Sequence, residues 1–182
     1  MSQAAAPFSI SRIFKAPLAL VFKVHTEAAH LEKWWSPKGF KTIHTSIDYR
    51  VGGAHHYGNE GPDGVQIWGK QVFREIVPNE RLTCIQSFSD KDGGITRHPM
   101  SATWPLELLA TTVFEDIDSA NTKVTLTWQP WNSDDVGNST FDAARSGMEQ
   151  GIGGTFAKLD AYLKTIQAIT PVDGLRQYGD NG

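Results

Sequence analysis

From Phe141 onward, Ala144, Met148, Ile152, Phe156, Leu159, Leu163 and Ile166 recur at steps of three and four residues. That spacing puts them on one stripe of an α-helix of about 27 residues, some 40 Å long at about 1.5 Å per residue. A helix of that length with one apolar face needs a long partner to cover it, and the rest of the chain offers strands. The stripe also has an odd middle, Gly147, Gly151, Gly153 and Gly154, each costing about 1 kcal/mol against alanine in a helix interior. Close packing of a sheet over the helix accounts for them. So does a ligand that needs room beside Met148 and Ile152.

Ahead of the helix the pattern is almost all strand. Phe8 to Phe14 alternates apolar and polar residues. Pro17 opens a short helix carrying Leu18, Val21 and Phe22, and Thr26 is the expected cap of a second, Glu27 to Trp35, stopped by Ser36-Pro37. Strands then follow at Phe40–Asp48, Ala54–Gly58, Val65–Ile76, Arg81–Phe88, Leu109–Ile117 and Lys123–Gln129, joined mostly by turn sequences such as Val51-Gly52-Gly53. Hairpin-sized links make the sheet antiparallel. One link is long: Ser89 to Leu108 carries Met100 and Trp104-Pro105 and reads as an ordered flap. The expected architecture is α+β, a curved antiparallel sheet of six to seven strands wrapped around a long C-terminal helix, with two short helices after the first strand. Such a sheet curves away from one end of the helix, and the gap is a cavity of the kind ligands favour. Residues 8–167 form the single expected domain, between a flexible N-terminus (1–7) and a flexible C-terminal tail (168–182).

The segments Ile10–Pro17, Thr26–Pro37, Asp48–Gly53, Pro62-Asp63-Gly64, Glu75–Leu82, Gly147–Gly151 and Leu159–Leu163 carry a resemblance over nearly the whole chain. It is to the SRPBCC superfamily, in the branch of the heat-shock-protein-90 ATPase activator homologues. The resemblance implies the helix-grip fold of START lipid carriers and of the birch pollen allergen, with a hydrophobic cavity. Relatives usually have Pro where Val51 stands and often Trp where Ile152 stands. An inward Ile152 would enlarge the cavity at that point.

Charge excludes some functions. Seventeen Lys and Arg against 20 Asp and Glu give a net charge of −3, with no basic surplus for a nucleic acid. The single cysteine, Cys84, rules out a disulfide framework within the chain. No stretch is long and apolar enough to span a bilayer, and Met1 to Phe8 lacks the form of a secretory signal. A cytoplasmic protein is expected. None of the six histidines sits in a metal signature, and no cofactor is expected. Catalysis leaves no motif: there is no Gly-x-Ser-x-Gly elbow and no phosphate loop. Arg145 and Glu149, one turn apart, are an expected surface ion pair.

Aromatic residues carry more information. Trp35, His55, Tyr57, Trp68, Trp104, Phe114, Trp128, Met148 and Ile152 are the expected lining of the cavity. Phe114 reads as plain core, while Trp68 and Trp128 serve equally as wall or core, since each indole N–H needs a partner. In the strand holding His55 and His56, one ring points inward and the other out; alternation with Tyr57 selects His55. The first function expected is binding of a small apolar or aromatic molecule. The second is a polyketide cyclase or aromatase-like enzyme with His55 and Tyr57 as first candidates for chemistry. The third, a chaperone cofactor, is not expected, because named activators carry an extra N-terminal domain and this chain opens on its first strand. A homodimer is left open.

Overall fold

The computed structural model describes residues 5–169. Of the expected terminal segments, residues 1–4 and 170–182 lie outside them. Seven long strands form one antiparallel sheet in the order β1 (Phe8–Phe14), β8 (Asn121–Trp131), β7 (Glu107–Asp118), β5 (Arg81–Ser89), β4 (Gln66–Val77), β3 (Ala54–Glu60) and β2 (Lys41–Ile47). A two-residue strand, β6 (Ile95–Thr96), pairs with the far end of β5. Two short helices, α1 (Leu18–Val24) and α2 (Ala28–Trp34), follow β1, and α4 (Arg145–Ile169) closes the chain. The expected α+β helix-grip fold is therefore present.

The core lies between the sheet and the two helical layers. Phe14, Val21, Val24, Val124, Phe141 and Leu159 have no exposed surface. Phe14 meets Phe156 of α4 edge to face, with ring centroids 5.5 Å apart. The α4 stripe buries Met148, Ile152, Phe156, Leu159 and Leu163, at the predicted spacing. Trp34 is locked at the end of α2 by its indole N–H, which donates to the Val24 carbonyl at 3.0 Å.

Several local expectations need correction. The C-terminal helix is not one piece: α3 (Asp135–Ala143) begins earlier, capped by the Asp134 carboxylate on the Gly137 N–H, and the chain leaves helical geometry at Ala144. The apolar spacing runs straight across that break, so nothing in the pattern marks it. What fixes the corner is tertiary: Phe141 is fully buried, and Arg145 reaches back over its ring to the carbonyls of Ala6 and Pro7. Arg145 therefore pairs with Asp142 rather than Glu149. Thr26 does not cap α2. Its hydroxyl turns back to the Phe22 and Lys23 carbonyls and closes α1, leaving Glu27 at the N-cap without a side-chain bond. The Ser89–Leu108 link is partly strand, through β6, and Thr103 is tied to α3 by a 2.9 Å bond from Thr140.

Candidate functional site

Strand alternation decides which side chains can meet a ligand. On β3, His55, Tyr57 and Asn59 share the face toward α4, and their cross-strand partners on β4 are Gln71, Gly69 and Ile67. On β5, alternation brings Gln86 and Phe88 to that same face, in register with Gln71 and Gly69. Gly69 has a specific reason to be glycine. A Cβ there would stand 2.6 Å from the Tyr57 hydroxyl, so the phenol lies across β4 where a side chain would be. From the opposite wall, Met148, Ile152 and Phe156 descend from α4 one turn apart.

Two concavities open between these walls. The larger, about 650 Å³, lies under the segment linking β6 to β7 and beside the α3–α4 corner, with Trp104, His98, Leu108 and Gly147 around it. The smaller, about 300 Å³, lies between the end of α2 and α4, lined by Trp35, His25, Ile152 and Phe156 among others. Tyr57, Gln86, Phe88, Trp128 and Met148 border both, so the two are lobes on either side of one shared wall. Among the described residues no Asp, Glu, Lys or Arg side chain lines either lobe.

The titratable groups near the lobes are held neutral. Burial pushes the Tyr57 phenol up to about 12, against an opposing pull from the Trp35 side chain. Burial also brings His25 down to about 4, although the Val21 carbonyl 2.7 Å from its Nδ1 works the other way. His55 is likewise lowered to about 4 by burial, opposed by its hydrogen bond to Gln71. The His55 imidazole is therefore neutral, with one donor and one acceptor nitrogen. Gln71 Oε1 can only accept, so His55 Nδ1–H donates to it at 3.4 Å, and Nε2 accepts from the Thr45 hydroxyl at 3.1 Å. Gln71 then uses its own Nε2 to donate to Gln86 Oε1 at 3.2 Å.

The expected lining sorts as follows. Trp35, Tyr57, Trp104, Trp128, Met148 and Ile152 border one lobe or both. His55 points inward but borders neither lobe; it is 1% exposed, beneath Trp35 and Tyr57. Phe114 is core, packed against Phe22 and His25. Trp68 is on the other face of the sheet, stacked on His56 and beside His44, with its N–H donated to Gln66 at 3.3 Å. The reason is register: Trp68 is opposite Gly58, one residue out of phase with Tyr57. Sequence reasoning missed Gln86, Phe88, His25 and His98. Nothing local marks any of them: the face of Gln86 and Phe88 follows only from the pairing of β5 with β4, which sets them opposite Gln71 and Gly69.

The α4 glycines resolve in part. A Cβ added at Gly147, Gly151 or Gly153 would meet nothing within 4 Å, whereas at Gly154 it would touch Lys38 at 3.4 Å. Sheet packing does not require the first three. Gly147 borders the larger lobe and Gly151 the smaller. Trp128 carries a polar debt: its Nε1–H is buried and has no acceptor among the described residues. Such a group costs about 1–3 kcal/mol if left unpaired. Among the described residues no group of three or more His, Cys, Asp or Glu side chains gathers as a metal site.

The chain matches other proteins over most of its length. The family described as activator of Hsp90 ATPase homolog 1-like protein matches residues 15–164. A solution structure from Arthrobacter aurescens is 24% identical, with 98% of this chain and 94% of that one covered and a TM-score of 0.70. A crystal structure from Nitrosomonas europaea is 22% identical, covering 89% and 96%, with a TM-score of 0.68. A third, described as an AHSA1 protein from Silicibacter pomeroyi, is 16% identical, covering 88% and 99%, at 0.67. At these identities the three structures establish the shared fold. No curated protein matches the chain significantly.

Proposed function

The chain belongs to the activator of Hsp90 ATPase homolog 1-like family, and from that premise we propose that it binds a small, uncharged hydrophobic or aromatic molecule between sheet and C-terminal helix. The observation that carries this reading is the lining: two adjoining lobes, bordered by large aromatics and, among the described residues, by no Asp, Glu, Lys or Arg. A phosphate or carboxylate ligand would find no cation there, while an apolar one gains about 25 cal/mol for each Å² it removes from water. A binder of this kind would work in the cytoplasm. No helix among the described residues is long and apolar enough to cross a membrane.

The test is native mass spectrometry of the purified protein together with a thermal-shift screen of aromatic compounds. We expect a retained or added small molecule and a raised melting temperature. A protein that carries nothing and that no aromatic compound stabilises would sink the proposal. An enzyme of the cyclase or aromatase kind is the second reading, and Tyr57 is what favours it, since its phenol borders both lobes and stays protonated as a donor. His55, sealed under two rings with both nitrogens engaged, would serve such an enzyme as a positioning residue. The family description alone speaks for chaperone stimulation, and we expect none in a coupled ATPase assay.

A further inference from the structure

The binding reading leaves open what polar chemistry a ligand should carry, and the hydrogen-bond directions around the shared wall bear on it. The series Thr45–His55–Gln71–Gln86 runs in one sense throughout. A hydroxyl donates to an imidazole, the imidazole to an amide oxygen, and that amide's nitrogen to the next amide oxygen. Each member spends its acceptor on the member before it. The free end of the series is therefore a donor, Gln86 Nε2, on a residue that borders both lobes. No group among the described residues accepts from it. Trp128 borders the same two lobes, but its Nε1–H is sealed from them as well as from any acceptor. Among the described residues the shared wall thus presents one free amide N–H donor, Gln86 Nε2, and no Lys, Arg, Asp or Glu beside it. A donor that loses its water to a ligand selects for one that supplies an acceptor.

Resting on the proposed binding function, we infer that the ligand is an uncharged, mostly aromatic molecule bearing a carbonyl oxygen, and that Gln86 Nε2 donates to that oxygen. A carbonyl fits because its oxygen only accepts. A carboxylate does not, since no Lys or Arg among the described residues lines the lobes.

The experiment compares three rigid probes of one shape, fluorene, fluorenone and fluorenol, by titration calorimetry. Wild type is expected to bind fluorenone about tenfold more tightly than fluorene, the step that one well-placed neutral hydrogen bond supplies. Gln86→Met, similar in length and apolar, should bring that ratio toward one. In wild type the Gln86 side-chain amide, assigned by triple-resonance NMR, should shift with fluorenone and stay in place with fluorene, a readout that does not depend on the variant folding. Equal affinity for fluorene and fluorenone overturns the inference and leaves the binding function standing. Tighter binding of fluorenol than of fluorenone also overturns it, by showing that the site offers the ligand an acceptor. Failure of all three to bind defeats the binding function, and the inference with it.

Discussion

His25 and His55 are both neutral in the folded chain, and that sets a pH dependence. Burial lowers each from its ordinary 6.5 to about 4. An unfolded imidazole regains its ordinary pKa, so between 6.5 and about 4 the unfolded chain binds protons that the folded chain refuses. Stability is full above that window and falls as the pH drops through it, by roughly 3 kcal/mol per histidine at the lower end. Denaturant unfolding at several pH values should show this slope, and His55→Gln should remove about half of it. A flat profile across the window would contradict the burial of both rings. At the same scale, Gly147→Ala and Gly151→Ala place a methyl in open space on a helix. Each should stabilise the protein by about 1 kcal/mol in equilibrium unfolding. Destabilisation by either would restore close packing as the reason for these glycines.

At the scale of elements, β3 and β4 hold one aromatic ring over one glycine on each face of the sheet. Tyr57 covers Gly69 on the side of the lobes, and Trp68 covers Gly58 on the other. Added methyl groups at the two glycines therefore have different consequences. Gly69→Ala must displace the Tyr57 hydroxyl, 2.6 Å from the new carbon, and should weaken ligand binding. Gly58→Ala must displace the Trp68 ring, 2.8 Å away, and should lower stability while leaving binding intact. Equal loss of binding in both variants would mean that the lobes are not the site. These two strands also show what the chain makes legible. The alternation that sends Tyr57 and His55 inward could be read from β3 alone. The placement of Trp68 could not, because β4 reads as a strand of either orientation until its pairing with β3 is known. The break at Ala144 was hidden for a related reason: residues 141, 144 and 148 keep helical spacing on both sides of it, and Arg145 gripping the Ala6 and Pro7 carbonyls sets the corner from a distant part of the chain.

For the whole molecule, the two lobes exist because one sheet curls over one helix and the corner at α3–α4 holds its far end open. Ile152 is the point at which their size can be changed most directly, since it is buried and borders the smaller lobe. Ile152→Trp should fill much of that 300 Å³ space and abolish stabilisation by ligands of the smaller lobe in a thermal-shift assay, with unfolding still cooperative. Retained stabilisation would place the ligand in the larger lobe alone. Element types, the antiparallel hairpins, the apolar stripe of α4 and the family resemblance are all legible along the chain, because periodicity and turn chemistry are local. Which aromatic rings face the space, which histidines are sealed from it and which donors lack acceptors emerge only on folding. Those depend on register between strands and on contacts across more than a hundred residues, such as Thr122 bonded to the Ala16 carbonyl and Lys158 to that of Phe40. No window along the chain contains them.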